Sequence, residues 1–465
     1  MNGVKTFTNK TEVRVNNKDI EWRKRKLKQM REELRSGQLN AFRELIPDGA
    51  IEEICQEAGY DFRERLLSPW VTIFHMISAG MNPVGSFQSA WQGSGNRGRS
   101  GSLAKARKRL PLEVWRKLDR WILDQVGEER QKEEDWRGHR MIAVDGTCVS
   151  MSDGPELAES FGRSRNLHGA SRFPVARVTL ALDLKQFVIL GHQVSGFKTS
   201  EIAQVKQMLG GFQKGDVLVM DRHFAGAYLY VEYQRAGLEF ITRIHAGLKL
   251  EKLKVLEVLD GEGKDLKVEM RVHKRNRRKD RSLPQKVCVR LIRCEAKNKG
   301  QRKDFWITTS LMDASKYPAE EIRGWYKQRW KVESLIRELK LGVGAEILRS
   351  QTQAGILKEL CARIIALNLI HWLILKAARA YQKPLEQISF SAALRLGLAY
   401  SIKMTTAPAW RLPPLYLQLL EDIALSVNPF RPNRIEPRLR KREKKIYKNL
   451  RIPRAEWKRL YALAA

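Results

Sequence analysis

Residues 216–224 read Asp-Val-Leu-Val-Met-Asp-Arg-His-Phe. Four apolar residues in a row are too few for a helix and suit a strand buried on both faces. That strand hands over to an acid, Asp221, followed by Arg222 and His223. Upstream, residues 141–147 repeat the theme as Met-Ile-Ala-Val-Asp-Gly-Thr, a short apolar run ending on Asp145. A carboxylate at the carboxyl end of a buried strand lies on the rim where open α/β sheets take their ligands. Taken singly, each acid has a plainer use as the cap of the next element.

Working outward, residues 175–184 and 186–194 read as paired strands around a turn at 184–185. A helix is expected over 200–209, a strand over 216–220, a helix over 225–236 and a strand over 239–244. This β-β-β-α-β-α-β succession predicts an α/β core with a mixed sheet. Residues 246–310 follow as a β-rich stretch, in which 266–272, 286–294 and 305–309 alternate with period two. A dense basic loop at 271–281 carries Lys274, Arg275, Arg277, Arg278 and Lys279, and both a solvated tip and a DNA contact fit it. Long helices are expected over 318–341 and 353–381.

Residues 1–134 read as mostly helical, with helices at 20–34, 50–58, 62–79 and 103–126 and a Gly/Ser/Arg break at 93–101. Lys105, Arg107 and Arg109 lie near the start of the last helix. A solvated helix face and a phosphate-contacting surface fit them equally. The C-terminal part, 381–465, is helical, punctuated by prolines, and ends in a basic run at 438–448.

Composition narrows the partner. The 465 residues carry 86 Lys+Arg against 52 Asp+Glu, a formal net charge of +34, with hydrophobic content of 43%. That much apolar material builds real cores, so a disordered basic tail is excluded. The excess charge calls for a polyanion, usually nucleic acid, with a membrane surface as competitor. No stretch joins a basic face to a large apolar one, which disfavours the membrane. The most apolar run, 364–375, is shorter than the roughly 20 residues a membrane span needs. It reads as a buried core helix. The five cysteines are scattered without a C-x-x-C pair, and the histidines form no H-x-x-H cluster, so neither a disulfide framework nor zinc chemistry is indicated. A reducing, cytoplasmic setting is expected.

A third block completes the pattern. Residues 326–340 read Tyr-Lys-Gln-Arg-Trp-Lys-Val-Glu-Ser-Leu-Ile-Arg-Glu-Leu-Lys. At ~100° per residue, Tyr326, Arg329, Glu333 and Lys340 share an arc of roughly 60° on one helix face. One acid between two cations and a phenol suits a metal beside a phosphate backbone. A surface stripe with an Arg329–Glu333 pair, worth only ~0.3–0.5 kcal/mol, fits the spacing as well.

Together the three blocks resemble the bacterial DDE transposases of the insertion sequence four family. The resemblance rests on Asp145-Gly146-Thr147, on Asp221-Arg222-His223-Phe224, and on the Tyr326/Arg329/Glu333/Lys340 signature, and it covers roughly residues 135–380. It implies an α/β, ribonuclease-H-like catalytic core with a β-rich insertion, flanked by N-terminal and C-terminal helical regions. The corresponding division is 1–134 for DNA-end binding, 135–245 and 311–380 for the two parts of the core, 246–310 for the insertion and 381–465 for the C-terminal region.

The resemblance also implies roles. Asp145, Asp221 and Glu333 would bind two Mg²⁺ ions, with Mn²⁺ able to substitute. Tyr326, Arg329 and Lys340 would grip phosphates near the transposon end. Trp306 is the candidate to stack on a flipped base if a hairpin forms, although a core position fits it too. Arg222 would contact DNA or pair with an acid. The expected reaction is cut-and-paste transposition, with water and then a freed 3′-hydroxyl as nucleophile. The expected partners are double-stranded DNA, as terminal inverted repeats and target, and a second protomer in the DNA complex. The expected location is the bacterial cytoplasm, at the nucleoid. The rival expectations are a catalytically silent, domesticated DNA-binding protein and a nuclease that only hydrolyses.

Overall fold

Strand β1, Met141–Met151, sorts its side chains between two cores. Met141, Ala143, Val149 and Met151 face one, while Ile142 and Val144 face the other, as the two-residue repeat of a strand requires. The computed structural model to which β1 belongs describes residues 40–429 except 43–44, 48, 64–66, 83–100, 132–134, 167–168, 172, 246–249, 296, 299–300 and 303, together with 456 and 459–460. The expected helix at 20–34, most of the break at 93–101 and the basic run at 438–448 lie outside the described residues.

β1 belongs to a ten-stranded sheet. Its other main strands are β2 (Val175–Asp183), β3 (Ile189–Gly196), β4 (Val217–Met220), β5 (Glu239–Arg243), β6 (Lys254–Val258), β7 (Asp265–Arg271), β8 (Lys286–Cys294) and β9 (Phe305–Thr309). The spatial order is β3-β2-β1-β4-β5-β9-β8-β7-β6, with a two-residue strand, Ile347–Leu348, beside the far end of β1. β2 runs antiparallel to β1 and β3, whereas β1, β4 and β5 are parallel. β5 through β6 are antiparallel at every step.

The β-rich segment therefore extends the main sheet, apart from a two-stranded ribbon of its own, Lys297–Asn298 with Gln301–Arg302. β9 pairs with β5 from Ile307↔Arg243 to Thr309↔Ile241 and covers an edge that would otherwise present open backbone groups. A buried clamp fastens the segment to the loop at 311–317. Arg290 forks onto Asp265 at 2.7 and 2.5 Å and also donates to the Leu311 and Tyr317 carbonyls.

Several helix boundaries shift from the sequence expectation, each for a local reason. The numbered helices of the N-terminal region are α1 (Ala50–Glu57), α2 (Pro69–Met81), α3 (Gly101–Arg109) and α4 (Leu112–Glu128). α2 starts late because Ser68 caps it and Pro69 opens it. The single helix expected at 103–126 is two, α3 and α4, because Pro111 has no N–H to continue the first and caps the second. α5 (Pro155–Phe161) lies between β1 and β2, and α6 (Glu201–Met208) and α7 (Ala227–Arg235) cross the second face of the sheet. The expected basic loop at 271–281 contains a short helix, α8 (Lys274–Lys279), capped by the His273 side chain.

α9 (Ala319–Gln328), α10 (Lys331–Arg337) and α11 (Gln353–Ala380) cover the first face, followed by α12 (Phe390–Thr406) and α13 (Leu412–Leu425). α11 is long and apolar enough to cross a membrane by length and composition, but 94% of its most apolar window is buried inside the protein. It is a core helix, as expected, wrapped by α2, α4, α12 and α13. Its buried acid is satisfied internally: Glu359 accepts from the Arg349 and Ser350 amides, from Ser350 Oγ and from Arg363.

Candidate active site

The parallel pairing of β1 and β4 ends at Val144↔Met220, so Asp145 and Asp221 come next in register on adjacent strands. Val217 and Val219 face the same core as Met141 and Ala143. Period-two alternation then puts both acids on the face covered by α9 and α10. Asp145 is not at the end of its strand, contrary to expectation. The antiparallel pairing with β2 continues through Asp145↔Leu180 to Ser150↔Val175, so β1 runs on past the acid while its parallel neighbour stops.

Backbone amides hold both carboxylates. Asp145 Oδ1 accepts from Gly146 N at 2.8 Å. Asp221 Oδ1 accepts from His223 N at 2.7 Å and caps a single turn, Arg222–Phe224, which buries Phe224 and leaves Arg222 and His223 exposed. Gly146 has no room for a side chain: a Cβ there would meet Glu201 at 2.4 Å. Glu201 in turn is held by Arg177 at 2.6 Å.

Glu333 arrives from the other layer. The helix expected at 318–341 is interrupted, so the four signature residues do not lie on one uniform spiral. At Arg329 and Trp330 the backbone tightens to three-residue hydrogen bonds: Arg329 N to Tyr326 O, Val332 N to Arg329 O and Glu333 N to Trp330 O. Beyond α10 the chain widens into a π turn, Glu338–Gly342, which carries Lys340. The tightening aims Arg329 inward, where it is 8% exposed. Its guanidinium stands 3.5 Å from Asp145 Oδ2 and 3.1 Å from Glu333 Oε1.

Electrostatics tie the group together. Burial pushes the Asp145 carboxyl up to about 6; the Gly146 amide and Arg329 oppose the shift, and the charges of Asp221 and Glu333 add to it. Burial also raises the Tyr326 phenol, which feels Arg329, Arg243 and Asp221. Asp145, Asp221, Glu333, Arg329 and Tyr326 thus share one site. Lys340 stands apart, 3.9 Å from Glu346.

Arg243 and Trp330 were not singled out from the sequence. Arg243 follows the Met220↔Thr242 pair, so it stands beside Asp221 as Asp221 stands beside Asp145. Its guanidinium covers Phe305 at 4.6 Å, and Phe305 packs against Tyr326 at 5.8 Å. Aligning the ends of the three parallel strands is the signal that finds it. Trp330 is 63% exposed next to Arg329, whose guanidinium lies 5.2 Å from its ring. Trp306, by contrast, is partly buried and packs into the second core.

The remaining basic candidates divide by exposure. Lys274, Arg275, Arg278 and Lys279 are exposed on α8, whereas Arg277 is half-buried and donates to the Val272 carbonyl. Lys105 and Arg109 are exposed on α3. Arg107 is half-buried, and its guanidinium feels Glu359.

Among the described residues, no three His, Cys, Asp or Glu side chains close around a point that could hold a metal ion. The donor set still suits a hard divalent cation, since Asp145, Asp221 and Glu333 offer only carboxylate oxygen. In this arrangement Arg329 supplies the positive charge between two of them.

The model for the transposase DDE domain matches residues 136–369. The chain belongs to the DDE transposase family. This transposase is 24% identical to the transposase InsG for insertion sequence element IS4 of Escherichia coli K12 over 345 residues, 73% of this chain and 75% of that protein. It is also 24% identical to the putative transposase InsZ of the same organism, over 29% of this chain and 46% of that one. Among solved structures, the piggyBac transposase synaptic complex with hairpin DNA aligns with a TM-score of 0.39 and 11% identity, covering 82% of this chain and 84% of that chain. DDE transposases act on DNA and use divalent metal ions.

Proposed function

We propose that Asp145, Asp221 and Glu333 are the catalytic carboxylates of a cut-and-paste transposase with a ribonuclease-H-like core. The observation that carries this is the register: two acids on neighbouring parallel strands, on the sheet face where Arg329 joins one of them to Glu333. The antiparallel trio β3-β2-β1 continued by parallel β4 and β5 supports the core assignment.

Two Mg²⁺ ions, or Mn²⁺ in their place, would polarise the scissile phosphate and activate first water and then the freed 3′-hydroxyl. The three carboxylates would hold them. Gly146 N fixes Asp145 Oδ1 and His223 N fixes Asp221 Oδ1; Asp145 Oδ2, which here stands beside Arg329, and Asp221 Oδ2 would be the oxygens offered to the ions. Arg329, Tyr326 and Arg243 line the same face and suit phosphate oxygens, the guanidiniums by forked hydrogen bonds and the phenol by one. Lys340, farther along, would hold a phosphate removed from the cleavage point, and Arg222 is exposed beside Asp221. Trp330, the open indole, suits base stacking better than the partly buried Trp306.

The exposed cations of α8 and α3 would extend the contact along terminal inverted repeats and target DNA. Ile402, Trp410 and Leu417 in the C-terminal region are exposed at 62%, 74% and 61%, and a second protomer in the DNA complex would cover such side chains. Such a protein would work in the bacterial cytoplasm, at the nucleoid.

The test is Mg²⁺-dependent cleavage and joining of duplexes bearing the element's ends. Asp145→Asn, Asp221→Asn and Glu333→Gln are each expected to abolish cleavage while the duplex still binds. Cleavage surviving any of them overturns the assignment, and cleavage without joined products leaves a hydrolysing nuclease.

A further inference from the structure

Strand β6, Lys254–Val258, closes the sheet, and all five of its residues are exposed. Val255, Leu256 and Val258 are 48%, 47% and 50% exposed. An edge strand with open backbone groups and apolar side chains is a template for another strand. We propose that β6 pairs antiparallel with β6 of a second copy of this chain, joining two sheets across a two-fold axis.

The register inside the chain shows why the occupant is a second copy. Lys254 lies opposite Glu269, and Glu257 lies opposite Lys267. Lys254 and Glu257 are three positions apart, which on a regular strand would put them on opposite faces. The irregularity between Val255 and Glu257 absorbs the extra residue and turns both charges to one face. Val255 and Val258 pair with Val268 and Leu266, so they share the other face. Val268 is buried in the second core and Leu266 packs against it, so the two valines continue an apolar surface past the rim.

Antiparallel pairing that sets Lys254 opposite Glu257 is self-complementary. When Lys254 of one copy meets Glu257 of the other, the reverse contact forms by symmetry. The charges then alternate across the junction. Lys286 bonds Glu269 at 2.9 Å and Glu269 stands opposite Lys254 in one copy; in the second copy, Glu257 is bonded to Lys267 at 2.7 Å. Parallel pairing in register would oppose Lys254 to Lys254 and is disfavoured. DNA is a poor occupant, because Lys254 and Glu257 cancel on a chain whose net charge is +34. The ladder is short, so the association is weak and depends on concentration. It needs neither DNA nor metal, and it is independent of the catalytic assignment.

The test is sedimentation equilibrium of the full chain without DNA. The wild type is expected to gain mass with concentration. Lys254→Glu places two carboxylates opposite each other at both ends of the junction, and Glu257→Lys places two ammonium groups there. Each variant alone is expected to dissociate about tenfold more readily. An equimolar mixture of the two restores both attractive pairs, and the gain in mass should return. Circular dichroism on each variant checks that the fold is kept. A wild type that never gains mass, single variants that associate like the wild type, or a mixture that fails to recover would each overturn the proposal.

Discussion

Arg329 reaches Asp145 across 3.5 Å, although 184 positions separate them in the chain. The same guanidinium holds Glu333. A cation belonging to the protein therefore stands among carboxylates that would otherwise repel one another. Removing it with Arg329→Ala should leave Asp145 and Glu333 uncompensated and destabilise the metal-free protein by about 1–3 kcal/mol. Arg329→Lys should recover little, because a compact ammonium lacks the planar fork whose two separate Nη atoms reach Asp145 and Glu333. Urea denaturation in EDTA measures both, and stability equal to wild type in Arg329→Ala would contradict the bridging role.

Asp145 makes the metal-free protein pH-sensitive. Its ordinary value of 3.8 rises to about 6 in the fold, chiefly through burial. Between those values the folded chain keeps a proton that the unfolded chain has lost. Stability without metal should then fall as pH rises from about 4 to about 6 and level off above, by at most about 3 kcal/mol for this group. Asp145→Asn should remove that slope and raise the melting temperature at neutral pH. Because a divalent cation must displace the proton, Mg²⁺ affinity should climb over the same interval. Calorimetric titration at several pH values tests it; an affinity independent of pH across 6 would count against the ligand role.

Trp330 and Trp306 should separate cleanly. With its indole 63% exposed, Trp330→Ala should leave the unfolding midpoint unchanged and weaken DNA binding by about 1–3 kcal/mol. Trp306→Ala should lower stability through lost packing in the second core. Fluorescence anisotropy on a labelled duplex, together with thermal melts, reads both effects. If Trp306→Ala melts normally and loses DNA binding, the stacking role returns to it.

The clamp on Asp265 predicts a large stability effect far from the acids. Arg290→Met leaves Asp265, 3% exposed, as an uncompensated buried charge and frees two carbonyls. The cost is expected to be about 3–5 kcal/mol. Arg290→Met combined with Asp265→Leu should regain a substantial part of it, which equilibrium denaturation will show.

Much of this was legible in the sequence. Apolar runs ending on acids marked β1 and β4, and period-two alternation marked β7, β8 and β9. The features left hidden depend on pairing. Asp145 was expected at a strand end because its apolar run stops there, yet the partner β2 carries β1 onward. The signature residues were expected on one helix, because side-chain spacing does not reveal a backbone that tightens at Arg329 and widens at Glu338. Arg243 has no motif of its own and gains meaning only from lying next to Asp221 across two strands. Pro111 and the Ser68-Pro69 pair were missed signals that stood in plain sight.

The unbroken ladder from β1 to the far rim fixes a length. Neighbouring strands are about 4.8 Å apart, so the basic helix between β7 and β8 lies roughly 22 Å across the sheet from β1. Because Arg243, Ile307, Ile292 and Asp265 share a level in the ladder, Arg271 and Lys286 stand six residues, about 20 Å, further along the strands, and the helix is about 30 Å from the acids. That is a little under one turn of B-form duplex, taking a turn as roughly 34 Å. Since hydrogen-bonded strands neither stretch nor slide, the sheet serves as a ruler. If, as proposed, those cations hold DNA, inserting or deleting a strand there would carry them to another phosphate without touching the chemistry.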